Sequence, residues 1–186
     1  MQLPVYAYGH PVLKKIAKEI TPQEYEELGT LIPDMFETMY NTNGVGLAAP
    51  QVGKSIRLFI VDTVQVEDDM KITGIKKVFI NPYILEEKGE LWTYSEGCLS
   101  FPDINANVER LSDIKIKYLD EQFNEHIEEI SGFNARVIQH EYDHLQGILF
   151  IERIKPLKRR LLNKKLEKIK RGDIKVNYPM KFYYKK

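Results

Sequence analysis

The chain has one cysteine, one tryptophan and four histidines in 186 residues, and its 27 Lys and Arg cancel its 27 Asp and Glu. A single cysteine closes no intrachain disulfide, which points to a reducing compartment. The start, Met1-Gln2-Leu3-Pro4-Val5-Tyr6, lacks the basic and apolar regions of a secretory signal, so the expected location is the cytoplasm. Apolar runs such as Leu58-Phe59-Ile60-Val61 are far too short to cross a bilayer, so no membrane partner is expected. Zero net charge leaves no global field that would favour DNA or another polyanion. What remains is a neutral chain, 43% hydrophobic, with the size and core material of a single domain spanning 1–186.

Local patterns divide that domain into helices and strands. Thr21-Pro22-Gln23-Glu24 supplies an N-cap, a proline at N1 and a glutamate at N3, and Leu28, Leu31, Ile32, Met35, Phe36 and Met39 follow at helical spacing. This predicts an amphipathic helix ending at Asn41-Thr42-Asn43-Gly44, with Pro33 as a point of kinking. Segments 57–62, 77–81 and 114–119 are rich in β-branched and aromatic residues and read as strands, with 66–74 as an exposed acidic loop. After Ser131-Gly132, the residues Phe133, Val137, His140, Glu141, His144 and Leu145 mark a buried helix that stops at Gly147. A last helix is expected from Pro156 to Arg171, with Leu157, Leu161, Leu162, Leu166 and Ile169 as its apolar stripe. Segment 174–184 reads as a terminal strand or a loose tail.

His140-Glu141-Tyr142-Asp143-His144 carries the chemistry. In a helix the two histidines lie one turn apart on one face and can share a metal ion, while Glu141 can take a proton from a water beside it. A zinc endopeptidase is the alternative to weigh, since His140, Glu141, His144 and Gly147 fit the start of one such motif. Phe150, however, stands where the third histidine belongs. Glu152 lies too close to serve instead, and Glu167 sits in a basic helix. Cys98, in Glu96-Gly97-Cys98-Leu99-Ser100, is the more plausible third ligand, because a thiolate and two imidazoles leave one tetrahedral position for water. A cysteine nucleophile with a histidine base would leave the paired histidines and Glu141 unexplained.

Gly44-Val45-Gly46-Leu47-Ala48-Ala49-Pro50-Gln51 formally matches a dinucleotide fingerprint, but it follows a helix and runs into a strand, the reverse of the order the fingerprint needs. Small residues here would instead let a peptide lie against exposed backbone, and Gln51 could donate a hydrogen bond.

Taken in order, the glycine-rich segment, Glu96-Gly97-Cys98-Leu99-Ser100 and Gln139-His140-Glu141-Tyr142-Asp143-His144 resemble the three motifs of peptide deformylases. Tyr8-Gly9-His10-Pro11-Val12-Leu13 resembles the family's N-terminal segment, so the likeness covers about residues 5–155. The resemblance implies an α+β fold, mainly antiparallel sheets packed around a central metal-binding helix, with an N-terminal and a C-terminal helix. It implies an enzyme of the bacterial cytoplasm that releases formate from N-formylmethionyl nascent chains. The implied ligands are Cys98, His140 and His144, holding Fe(II), with Ni(II), Co(II) or Zn(II) as substitutes; the ligand chemistry itself suits several of these ions. Glu141 is implied as the acid/base, and Gln51 and the Leu99 N–H as donors to the developing oxyanion. The substrate backbone would pair near Val45, Gly46 and Gly97, and its methionine would enter a slot walled by Val45, Tyr94, Phe133 and Val137.

Two positions depart from the family pattern. Arg136 replaces a frequent aliphatic residue and is expected to narrow or polarise the pocket rim; Asn105 replaces a frequent arginine and removes a charge that would support substrate or loop. Between Lys155 and Arg171 nine Lys and Arg face one acid, Glu167. That helix is read either as a solvated face or as a docking surface for ribosomal RNA.

Overall fold

The computed structural model describes residues 1–184. Its elements are β1 (Val5–Tyr6), α1 (Tyr25–Asn41), β2 (Gly46–Ala48), β3 (Leu58–Asp62), α2 (Glu67–Met70), β4 (Lys76–Gly97), β5 (Asn105–Leu119), β6 (Glu125–Ser131), α3 (Gly132–Leu145), α4 (Pro156–Arg171) and β7 (Met180–Lys181). Strands β2-β3-β4-β5-β6 form one antiparallel sheet, and β1 pairs in parallel with β7. The α+β class expected from the sequence is therefore present. No helix among the described residues is long and apolar enough to cross a membrane.

The sheet lies between α1 and α3, and β3 explains why. All five of its residues are buried, and alternate side chains face opposite ways. Phe59 and Val61 join Phe79, Ile114, Ala135 and Ile138 on the α3 side, while Leu58 and Ile60 join Leu28, Ile32, Met35 and Met39 on the α1 side. A strand covered on both faces has no polar side, which is why it reads as a continuous apolar run. Each fully buried Leu, Ile or Phe contributes roughly 1.5–3 kcal/mol. A third cluster, including Leu13, Phe101, Ile104, Phe150, Leu166 and Ile169, seats α4 against the loop between β4 and β5.

Several boundaries differ from expectation. The capping box exists, with the Thr21 N–H donating to Glu24 Oε2 at 2.8 Å, but it closes a 3-10 turn; α1 starts at Tyr25 and runs through Pro33. The stretch 66–74 is not wholly a loop, since α2 occupies part of it. Strand β4 continues far beyond residue 81, past register shifts near Asn81 and Gly89. Its outer half is partly solvated and charged, so no apolar alternation announces it. In α4 only Leu166 and Ile169 are buried; Leu157 and Leu161 are 71% and 78% exposed, so the expected stripe is half a stripe. Of the two readings of 174–184, the strand is present, over Met180–Lys181, where β7 pairs with β1.

Candidate active site

The site forms where α3 meets the end of β4. Gly147 stops the helical segment at a φ of 68°, and a Cβ there would meet the Lys14 carbonyl oxygen at 2.7 Å, so the position tolerates only glycine. One turn of α3 separates His140 from His144, and the loop after Gly97 brings Cys98 to both. A ligand atom from each of the three side chains lies within 4.8 Å of the others. Cys98 Sγ is 3.4 Å from His144 Nε2. His140 Nδ1 lies 2.9 Å from Glu96 Oε2; a carboxylate only accepts, so Nδ1 carries the proton and Nε2 keeps a lone pair for the centre. Buried His144 Nδ1 and Glu141 Oε2 have no hydrogen-bond partner among the described residues. A convergent thiolate and two imidazoles beside such unpaired atoms fit a transition metal of borderline softness.

Beneath the histidines lies an ionic network the sequence did not disclose. Glu96 receives Arg110 Nε at 2.7 Å and Nη2 at 3.0 Å, and Arg136 Nη1 at 2.7 Å. Arg110 Nη1 reaches Asp143 Oδ2 at 2.8 Å, and Asp143 is gripped from outside by Arg153 at 2.5 Å. Burial alone would raise the Glu96 carboxyl, but hydrogen bonds from His140 and Arg110 hold it well below the usual carboxylate range. Its negative charge thus orients His140. Asp143, inside the pentapeptide and three residues from His140, was the available signal for this layer; Arg110 and Arg153 had none.

Gln51 is turned by the backbone three residues before it. Its Oε1 accepts from the Ala48 N–H at 2.8 Å, which leaves Nε2 facing Cys98 Sγ and Ser100 Oγ, both at 3.4 Å. Glu141 lies flat against Gly46: a Cβ at that glycine would sit 2.6 Å from Glu141 Oε1. Burial pushes the Glu141 carboxyl up to about 7, with His140 opposing the rise. Tyr178 donates its hydroxyl to the Leu99 carbonyl oxygen at 2.8 Å.

These groups open onto one cavity of about 480 Å³. Val45, Gly46, Gln51, Tyr94, Gly97, Cys98, Leu99, Phe133, Val137, His140 and Glu141 all line it; of the residues singled out from the sequence only His144 does not, being 1% exposed behind Cys98. Tyr94 and Phe133 meet edge to face at 5.6 Å and form an aromatic corner. Arg136 also lines the cavity. Its guanidinium is buried, donates to Glu96 and to the Trp92 carbonyl oxygen at 2.7 Å each, and lies 4.0 Å above the Trp92 ring. Asn105 pairs with Gly97, and its Oδ1 lies 2.6 Å from where a Gly97 Cβ would stand, so the short amide covers the strand end.

A family model described as Polypeptide deformylase matches residues 2–160. A peptide deformylase of Cytophaga hutchinsonii is 50% identical over 186 residues and covers 100% of both chains. One of Christiangramia forsetii is 50% identical, covering 98% of this chain and 96% of its own. Among solved structures, the Legionella pneumophila peptide deformylase superposes with a TM-score of 0.81 at 37% identity, over 93% of this chain and 98% of that one. The class I type b peptide deformylase of Acinetobacter baumannii, bound to Met-Ala-Ser, gives 0.76 at 42% identity, over 83% and 99%.

Proposed function

The chain belongs to the polypeptide deformylase family, metalloenzymes that remove N-formyl groups from nascent polypeptides, and from that premise we propose how its own residues divide the work. The endopeptidase alternative has no support: the relatives are deformylases, and Cys98, not a downstream residue, joins the two histidines. The observation that carries the proposal is the convergence of Cys98, His140 and His144 beside a buried carboxylate.

Cys98, His140 and His144 would hold the metal, Fe(II) in the most active form, with Ni(II), Co(II) or Zn(II) as substitutes. When bound, the ion supplies Lewis-acid polarisation and lowers the pKa of water. Glu141 takes the proton of the water that attacks the formyl carbon and delivers it to the departing amine, so that water and a formamide become formate and a free N-terminus. Its carboxyl, raised by burial, is suited to carry a proton in both directions near neutrality. Gln51 Nε2 and the Leu99 N–H receive the charge developing on the formyl oxygen. Gly46 and Gly97 offer backbone to an extended peptide, and Tyr94, Phe133, Val137 and Val45 enclose methionine. The Met-Ala-Ser held by the Acinetobacter baumannii relative supports that substrate class.

Helix α4 adds a docking role on ribosomal RNA in the bacterial cytoplasm, supported by the nine Lys and Arg between Lys155 and Arg171. Exchanging three α4 lysines for Glu and measuring ribosome co-sedimentation at low salt tests it: unchanged binding removes it. For the centre itself, Cys98→Ala should lose both bound metal and formate release; a variant that keeps its metal refutes the ligand set.

A further inference from the structure

One polar contact at the cavity is not used by the reaction as described. Tyr178 lies outside all three motifs, in the segment between α4 and β7, yet it lines the same cavity as His140 and Glu141. Its hydroxyl donates to the Leu99 carbonyl oxygen at 2.8 Å. The segment that carries it is tied down immediately after the contact. The Val5 N–H donates to the Pro179 carbonyl oxygen and the Ala7 N–H to that of Lys181, both at 2.9 Å, and Met180 pairs with Val5 in β1. Pro179 restricts Tyr178 to extended backbone, which limits the directions the phenol can take.

The turn that follows Cys98 is gripped again one residue on, where the Tyr8 N–H donates to the Ser100 carbonyl oxygen at 2.8 Å. The carbonyls of Leu99 and Ser100 are thus held from outside by the two terminal segments, themselves hydrogen-bonded to each other. From inside, Gln51 faces Cys98 and Ser100. The Tyr178 bond holds the Leu99–Ser100 peptide plane, and the Leu99 N–H lies in the preceding plane, joined to it through the Leu99 Cα.

We propose that Tyr178 is a positioning residue for deformylation: the C-terminal segment, through this hydroxyl, sets the Leu99 backbone so that its N–H meets the charge developing on the formyl oxygen. This rests on the role given to Leu99 above. A donor that acts only as charge develops contributes to turnover more than to substrate binding.

Tyr178→Phe in the full chain removes the hydroxyl and little else. With N-formyl-Met-Ala-Ser as substrate and the metal content measured, kcat should fall ~10-fold while KM stays within about twofold, since a slightly misplaced donor costs this order of rate. Metal content and melting temperature should match the wild type, and amide hydrogen exchange across residues 97–101 should accelerate. Full kcat in an active, folded variant overturns the proposal, as does unchanged exchange in that segment. A raised KM at constant kcat also overturns it, assigning Tyr178 to substrate binding instead. A wild-type chain that releases no formate removes the functional reading and this proposal together, whereas an active wild type with an equally active variant removes the proposal alone.

Discussion

Glu141 lies against Gly46 so closely that a single methyl group at the glycine would stand 2.6 Å from Oε1 and 2.8 Å from Cγ. The glycine of β2 therefore leaves the carboxylate its room from within the protein, at the position proposed above to meet a peptide from outside. Gly46→Ala must displace Glu141, and a shift of about 1 Å in a proton-transferring group lowers rate by roughly 100-fold. Formate release should fall by that order while bound metal, measured by elemental analysis, stays at wild-type content.

Glu96→Ala should destabilise the fold and weaken the centre together. It leaves Arg110 and Arg136 buried with a partner missing, which typically costs about 3–5 kcal/mol. It also frees His140 Nδ1, and loss of such a partner weakens metal binding by roughly 10–100-fold. Denaturant titration and chelator competition measure the two effects; a variant with wild-type values in both would show that the network does not support His140.

Phe133→Ala should act on the substrate side. Removing the ring from its edge-to-face contact with Tyr94 opens the cavity wall. The pocket should lose discrimination between methionine and smaller residues, read as a fall in the kcat/KM ratio of formyl-Met-Ala-Ser to formyl-Ala-Ala-Ser by about 10-fold. An unchanged ratio would exclude Phe133 from the methionine wall.

The legible parts of this molecule are those whose chemistry is written in contiguous residues. His140, Glu141 and His144 share one helical face, and Gln51 and Cys98 sit in short glycine-containing segments, so their types and spacing were sufficient to single them out. Strand β3, covered on both faces, announces itself by composition. The outer half of β4 does not, because its side chains meet water and its register shifts near Asn81 and Gly89 interrupt the alternation. Arg110 and Arg153 reach Glu96 and Asp143 only once the sheet has folded, and single charged residues in a strand or loop look like solvated surface. Arg136 shows the same limit: it lines the cavity, but its partners, Glu96 and the Trp92 ring, lie about 40 residues away in the chain and meet it only in the fold. Tyr178 is near the site only because β7 returns to β1, a pairing of two residues on each strand.

Glu141 is proposed above as the proton carrier beside a metal held by Cys98, His140 and His144. Glu141 Oε2 has no hydrogen-bond partner among the described residues, so its removal leaves the hydrogen bonds of Arg110 to Glu96 and Asp143 in place. The direct test is formate release from formyl-Met-Ala-Ser by the anaerobically Fe(II)-loaded chain and by Glu141→Ala, with metal measured in each sample. The wild type should release formate, and the variant should lose at least about 100-fold in rate with its metal retained. Undiminished formate release by the variant, or none from the loaded wild type, would contradict the account.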